Sequence, residues 1–201
     1  MIVYHGSNSR FETLRISKSL VKSDASALNE GMGIYFSTFK SVACSYGKYV
    51  YTLEINDGCL IDFRKKPIIC KYLKGIENEI YKTEKIYISR YVDLNSLVEY
   101  IYQGNIAISG ICREIELLLD SNEYWYKCTP AQIERVYEIL RKYDKKHQIG
   151  YLFNYNIMGI GILRKVGPEI VRIVKREKSE DVELELSKSE RGSSRNQGRR
   201  G

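Results

Sequence analysis

Three short segments in the first quarter of the chain place ligand-facing residue types at the ends of predicted elements. His5-Gly6-Ser7 ends a predicted strand, Tyr35 lies in a second strand, and Tyr46 follows Tyr35 by eleven residues at the end of a short helix. Two aromatic faces can sandwich a flat ring, and a glycine beside a histidine lets the backbone approach a ligand closely. These segments predict a site for a planar ligand where strands end.

The predicted elements fall into an α+β order. Strands are predicted at Ile2–His5, Ile34–Ser37, Tyr49–Ile55 and Cys59–Phe63, and a helix at Phe39–Tyr46. We interpret residues 7–20 as a loop or short helix, and the polar stretch Val21–Glu30 as a mobile loop over the site.

The middle of the chain is predicted to be helical. Asp93 is a predicted N-cap, and Thr129-Pro130-Ala131-Gln132 has the proline and glutamine of a helix start. Apolar residues recur at three-four spacing after each start and in residues 108–119, which indicates core packing. Farther on, residues 160–163 and 170–174 flank Gly167-Pro168 and predict a hairpin-like pair of strands.

The end of the chain is predicted to be a disordered, charged tail. Residues 187–201 contain no apolar side chain and include five Lys or Arg. We therefore divide the chain into a domain at 1–178 and a tail at 179–201. A basic tail can bind nucleic acid electrostatically, but it is more often only a solvated end.

Composition fits one domain with its own core. The chain has 201 residues, 43% of them hydrophobic, and a net charge of +7 that favours anionic partners in general. We expect no membrane span and no signal peptide. Five cysteines without Cys-x-x-Cys spacing suggest reduced thiols, and two histidines without a spaced cysteine argue against zinc.

The early motifs resemble the ADP-ribosyltransferase family, in the His-Tyr-Glu branch that includes diphtheria-type toxins and poly(ADP-ribose) polymerases. The matching residues are Tyr4-His5-Gly6-Ser7, Gly33-Ile34-Tyr35-Phe36-Ser37, Ala43 with Tyr46, and the strand at 48–55. The resemblance is dense over the first quarter of the chain and thin afterwards. It implies split, mainly antiparallel sheets around an NAD cleft, with a helical insertion in the middle of the chain.

The resemblance implies a role for each matched residue. Tyr35 and Tyr46 would stack on nicotinamide, and the Gly6 backbone would hydrogen-bond its carboxamide. His5 would bind a ribose hydroxyl. Ser7 would belong to the same NAD-binding set, and Ser37 would support the ribose or the catalytic glutamate. Cleavage of the nicotinamide–ribose bond develops positive charge on the sugar, which a carboxylate stabilises.

Glu169 is the candidate for that carboxylate, because Glu169-Ile170-Val171 matches the family's glutamate at the start of a late strand. Together with His5 and Tyr35 it forms the expected catalytic set. Glu177 and Asn156 remain alternatives. Ala43 stands where polymerase-like members have serine, and Gly167 where arginine-modifying members have an acidic residue or glutamine, which favours a toxin-like enzyme.

The sequence therefore predicts a mono-ADP-ribosyltransferase of toxin or effector type. NAD would be its substrate and no metal would be needed. Its acceptor would be a protein or nucleic acid, with an antitoxin or immunity protein as a further partner. It would act in the cytoplasm, its own or that of a target cell. A catalytically silent NAD- or nucleotide-binding module and a basic nucleic-acid-binding protein are the alternatives.

Overall fold

A seven-stranded sheet organises the described parts of the protein. The computed structural model describes residues 1–16, 33–105, 111–146, 150–155 and 158–197. The strands are β1 Ile2–Ser7, β2 Ile34–Ser37, β3 Tyr49–Ile55, β4 Ile61–Asp62, β5 Gly150–Tyr155, β6 Met158–Leu163 and β7 Val171–Lys178. Their order is β4-β5-β6-β2-β1-β3-β7, and the sheet is antiparallel except for the β4–β5 pair.

Six α-helices accompany this sheet in the described parts of the chain. They are α1 Lys40–Cys44, α2 Lys66–Glu84, α3 Leu94–Tyr102, α4 Ile111–Asp120, α5 Pro130–Lys146 and α6 Ser179–Gln197. The protein is therefore α+β, as expected. Strands β2 and β3 have the predicted bounds, whereas β4 is shorter than the predicted 59–63 and α1 is shorter than the predicted 39–46.

The predicted helix starts in the middle of the chain are confirmed. The Asp93 carboxylate accepts hydrogen bonds from the backbone N–H groups of Asn95 (3.0 Å) and Ser96 (3.2 Å). Thr129 and Gln132 form a reciprocal capping box, with bonds of 3.0 and 3.3 Å. Sequence reasoning placed no element at α2, whose buried residues follow the helical spacing and form the apolar face Ile69, Leu73, Ile76 and Ile80.

Three apolar clusters hold the layers together. The largest joins the helices α2–α5 to one face of the sheet through Phe63, Tyr151, Phe153 and Ile162. A second covers the opposite face, where Phe11 and Leu14 pack on the strands. The third is small and joins α1 and α6 to β3. The two sheet faces therefore have different covers, helical on one side and partly the segment after β1 on the other.

The hairpin predicted around Gly167-Pro168 is wrong. Strand β6 pairs with β5 and β2, whereas β7 pairs with β3 at the edge of the sheet. The glycines of β6 explain its central place, since a side chain at Gly161 would lie 2.2 Å from the Phe36 ring of β2. Local turn residues at 165–168 indicated a reversal but could not choose the partner strand.

The predicted disordered tail also requires correction. Residues Ser179–Gln197 form α6, and its first turns pack against α1. Val182 is 1% exposed in the cluster with Ala43, Cys44 and Val50. The domain boundary predicted at residue 178 thus separates a strand from a helix that packs on the same core. None of the described helices is long and apolar enough to span a membrane.

Candidate functional site

The junction between β1 and β2 and the turn beside it carry the predicted site residues of the first quarter of the chain. The two strands share one register pair, Tyr4 with Ser37. On the opposite side, β1 pairs with β3 at every residue from Ile2 to Ser7. Beyond Tyr4 the side chain of His5 bridges the two strands, with its Nδ1 2.6 Å from the Tyr35 carbonyl oxygen. Strands β1 and β2 are therefore connected partly by the His5 imidazole and not only by ladder hydrogen bonds.

This bond defines the tautomer of neutral His5. A carbonyl oxygen can only accept, so Nδ1 must carry the proton. Burial lowers the pKa of His5 below its ordinary value, and the bond to the Tyr35 carbonyl opposes that shift only in part. The ring is therefore neutral at pH 7, and Nε2 holds a lone pair that can accept a hydrogen bond from a hydroxyl group.

Two aromatic rings lie beside the imidazole. The centroids of Phe11 and Tyr51 are 6.0 and 6.2 Å from that of His5, and these two rings stack on each other at 4.0 Å. The Tyr51 hydroxyl donates to the Ser9 carbonyl (3.1 Å) and accepts from the Phe11 N–H (2.9 Å). This arrangement ties the segment after β1 to the strands and gives His5 an apolar setting.

Gly6 is required by the close approach of α1. A Cβ atom there would lie 2.0 Å from the Ala43 carbonyl oxygen and 2.8 Å from the Tyr46 Cβ. The bare backbone thus admits the end of the helix and the turn that carries Tyr46, in addition to any role towards a ligand. The structure brings Gly6 and the second tyrosine of the motif into contact.

Tyr46 is placed on the surface of this turn. Its side chain is 65% exposed, so that one ring face is available to a ligand. The turn lies across the end of β1, because a Cβ at Gly47 would be 2.2 Å from the Ser7 carbonyl carbon. The Lys48 N–H also donates to the Asn8 side chain at 3.3 Å. Tyr46 is therefore an exposed ring on an anchored turn.

Tyr35 has a different environment. It is half-buried and packs against the helical cluster of the sheet face. Alternation along the antiparallel pair puts Tyr35 on the same face as Gly6. The two tyrosines thus lie on one side of the junction, although Tyr35 also contributes to the core.

The two serines of the motif have local partners. Ser37 is 3% exposed, and its Oγ accepts from the Phe39 N–H at 3.0 Å, which supports the turn into α1. Ser7 Oγ accepts from the Ser9 N–H at 3.1 Å. Both hydroxyl groups therefore shape turns that border the junction.

Glu169 lies apart from these residues. It is exposed in the turn before β7, and its carbonyl oxygen accepts a long bond from the Asn56 side chain at 3.4 Å. In the sheet, Arg176 of β7 aligns with Tyr51 and so with His5. Glu169 precedes Arg176 by seven residues, which corresponds to roughly 20 Å along a strand. The expected set of Glu169, His5 and Tyr35 is not assembled. Strand β7 pairs with β3, so β1 and β3 lie between β7 and the strand that carries Tyr35.

The alternatives for the carboxylate differ in position. Glu177 is level with Gly6 but is two strands away across the buried Val50. Burial raises its pKa, yet contacts of 2.8 Å from Lys175 and Lys40 outweigh that effect and keep the pKa low. Asn156 lies outside the described residues, as does the loop predicted at 21–30.

Sequence reasoning missed Ser179 as a support of the site. Its Oγ donates to the Gly47 carbonyl and its N–H donates to the Lys48 carbonyl (3.0 Å), so α6 holds the turn of Tyr46. The signals were present, since Ser179 is followed by Glu180 and Asp181, and apolar Val182 and Leu186 are four residues apart.

Two cavities lie elsewhere in the described parts of the molecule. One of about 390 Å³ is in the helical region and includes Tyr91, Asp93 and Tyr100 among its lining residues. Another of about 480 Å³ borders β7 and is lined largely by charged side chains, including Arg176 and Glu185. Neither is lined by His5, Tyr35 or Tyr46. Comparison with protein-family models, curated proteins and solved structures gives no significant match to this chain.

Proposed function

We propose that the protein is a mono-ADP-ribosyltransferase that binds NAD at the β1–β2 junction and transfers ADP-ribose to a protein or nucleic acid. The observation that carries this proposal is the His5–Tyr35 bridge at 2.6 Å, with Gly6 and the Tyr46 turn beside it. The order of these residues along the chain fits the His-Tyr-Glu resemblance. Alternation puts Gly6 on the sheet face of Tyr35 and the His5 ring on the opposite face, beside Phe11 and Tyr51.

The chemistry at the junction suits a dinucleotide. A neutral His5 offers Nε2 to a ribose hydroxyl, which is a hydrogen-bond donor. The exposed ring of Tyr46 offers a stacking face for nicotinamide, and Tyr35 borders the same side of the junction. Transfer would require the developing positive charge on the ribose to be stabilised while the ring leaves. Strands β1 and β2 are neighbours in one sheet and share one register pair, so a split into two sheets at this point rests on the resemblance alone.

A second candidate is favoured by the position of Glu169. A carboxylate far from the junction is what a silent NAD-binding module would have, because binding needs the histidine and tyrosines but not charge stabilisation. In this case the protein would hold NAD or a related nucleotide without releasing nicotinamide.

Labelled NAD separates the two candidates. Purified protein is incubated with NAD labelled in its adenine half, with and without whole-cell lysate, and nicotinamide release is followed. Protease and nuclease digestions then identify the labelled acceptor. Transferase activity predicts release that rises with the acceptor and falls in His5→Asn. The exposed Tyr124→Ala, in the helical region, serves as the control. Saturable NAD binding without release supports the silent module, and absence of binding contradicts both.

A further inference from the structure

Arg164 follows β6 on the sheet face that carries Tyr35. Ile34 pairs with Leu163 and Tyr35 with Ile162, so Arg164 is level with Gly33. Alternation places Arg164 on the same face as Ile162 and Tyr35, and Tyr35 and Arg164 are diagonal neighbours. Such neighbours are roughly 7–8 Å apart, within reach of long side chains. Arg164 is thus next to the proposed site without belonging to the motif.

The guanidinium of Arg164 has an unused pair of donors. Its Nε and Nη2 atoms are buried, and neither has an acceptor in the described parts of the chain. The Cζ atom lies 5.7 Å from the centre of the Tyr151 ring, which is buried in the helical cluster. Buried donors on a charged group are costly to leave unpaired. The Tyr151 ring packs against the guanidinium, but it does not provide hydrogen-bond acceptors for the Nε and Nη2 groups.

The ion pairs seen in the described parts of the chain do not include this arginine. Asp62, on the strand beside β5, accepts bonds from Arg64 at 2.9 and 3.1 Å and lies 3.4 Å from the Lys65 ammonium. That carboxylate is therefore already engaged by two cations. Within the described residues, Nε and Nη2 of Arg164 therefore stay without an acceptor, in contrast to the paired Arg64.

Nε and Nη2 form the side of a guanidinium that binds two oxygens of a phosphate or carboxylate at once. Building on the proposed NAD site, we infer that Arg164 binds the diphosphate of the dinucleotide through these two donors. In NAD one ribose separates the nicotinamide ring from the diphosphate, and a diagonal neighbour of Tyr35 is at a suitable spacing for that group.

Titration calorimetry on the full chain tests this assignment with three variants. Arg164→Gln removes both the positive charge and the paired Nε and Nη2 donors. Arg164→Lys keeps the charge but not the paired donors. Lys165→Gln removes one positive charge from the exposed neighbouring residue. The ligands are NAD, ADP-ribose, nicotinamide riboside and inorganic pyrophosphate. Thermal unfolding identifies any variant that is not folded, in which case Arg164→Lys decides the result.

We expect Arg164→Gln to weaken NAD and ADP-ribose by about tenfold or more, as charged hydrogen bonds require. Arg164→Lys should lose most of that affinity too, because an ammonium group cannot bind two oxygens through paired N–H donors. Nicotinamide riboside, which has no phosphate, should change by less than about twofold, as should every ligand in Lys165→Gln. Equal losses for Arg164→Gln and Lys165→Gln, or an equal loss for the riboside, would overturn the assignment.

The same titrations separate this inference from the proposed function. If the natural protein binds NAD and Arg164→Gln binds it equally well, the NAD site stands and the role of Arg164 fails. If the natural protein binds neither NAD nor ADP-ribose, the proposed function fails. Pyrophosphate then decides Arg164 alone: binding that Arg164→Gln abolishes keeps an anion site there, and absence of binding removes it.

Discussion

Strand β1 is bound in different ways along its two sides. Towards β3 it forms a continuous ladder from Ile2 to Ser7, whereas towards β2 it has one register pair and then the imidazole of His5. The ladder satisfies backbone groups within the sheet, which is the ordinary requirement of a buried strand. The other side replaces ladder bonds with a titratable side chain. The difference teaches that the β3 side of β1 is held by a regular ladder, whereas its β2 side depends on one titratable side chain.

The largest expected effect comes from removing the helix that supports the ladder side. Truncation after Lys178 removes Ser179 and the buried Val182, and leaves Ala43, Cys44 and Val50 exposed. We expect a loss of about 3–5 kcal/mol in the free energy of unfolding, from lost burial and hydrogen bonds. NAD affinity should fall as well, because the Tyr46 turn loses its anchor. Denaturant titration and NAD titration measure the two effects.

Truncation after Lys188 is the matched control. It keeps Val182 and the half-buried Leu186, so stability should change by less than about 0.5 kcal/mol. An unchanged melting temperature after truncation at Lys178 would show that α6 does not hold the α1 turn, and that the tail boundary predicted at 178 is correct.

Gly6→Ala should have the next largest effect, on the contact between β1 and α1. The new methyl group would lie 2.0 Å from a backbone oxygen, which cannot rotate away. We expect about 3 kcal/mol of destabilisation from overpacking and weaker NAD binding as Tyr46 shifts. Gly58→Ala is the control, because its nearest neighbour would be a flexible side-chain atom at 3.6 Å. Similar costs at both glycines would argue against a special fit at Gly6.

The two tyrosines should separate packing from ligand stacking. Tyr35→Ala is expected to cost about 2 kcal/mol, since the ring is half-buried against the helical cluster. Tyr46→Ala should leave stability within about 0.5 kcal/mol because the ring is exposed, yet it should weaken NAD binding by about twofold to tenfold through lost stacking. Tyr35→Phe should preserve both properties. Tyr46→Ala binding NAD normally would remove the stacking role.

The strands around the junction could be predicted from sequence because their signals are local. β2 and β3 have clear apolar runs between turn residues, and Asp93 and Thr129 are followed by apolar helical stripes. Partner choice could not be predicted in this way. β6 fits beside β2 because Gly161 admits the Phe36 ring, a tertiary fact that no local pattern contains. The prediction that Glu169 lies at the site was wrong for the same reason, since the strand that follows it pairs with β3 and not with β2.

His5 gives the junction a pH dependence that the ladder lacks. Its pKa is lowered by burial in the folded protein, while an unfolded histidine titrates near ~6.5. As pH falls below that value the unfolded chain binds the proton first, so stability is lost. The stabilising contribution is therefore fully present above about pH 6.5 and declines towards the folded pKa. Unfolding curves between pH 5 and 8 measure it.

His5→Asn is the informative variant for this titration. The asparagine amide can replace the Nδ1 donor to Tyr35 but has no counterpart of Nε2. Stability should then fall less between pH 6.5 and 5, while NAD affinity at pH 7.5 falls about twofold to tenfold for one lost hydrogen bond. The second histidine, His147, is present in both the natural protein and the variant, so its titration cancels in the difference between their pH profiles. An identical pH profile in both would place the titrating group elsewhere.

The smallest effect is expected at Glu169, where the junction and the far end of the sheet can be compared directly. Glu169→Gln alters an exposed side chain roughly 20 Å along the strands from the level of His5, so stability, NAD affinity and nicotinamide release should all stay within about twofold.

Glu177→Gln is a sharper contrast, because Glu177 contacts Lys40 at the start of α1. That substitution should lower stability by about 1 kcal/mol and disturb the Tyr46 turn without acting on the chemistry. Kinetics of nicotinamide release across both variants test this difference: a large loss of turnover with unchanged NAD affinity in Glu169→Gln would mean that the turn before β7 reaches the junction when NAD binds.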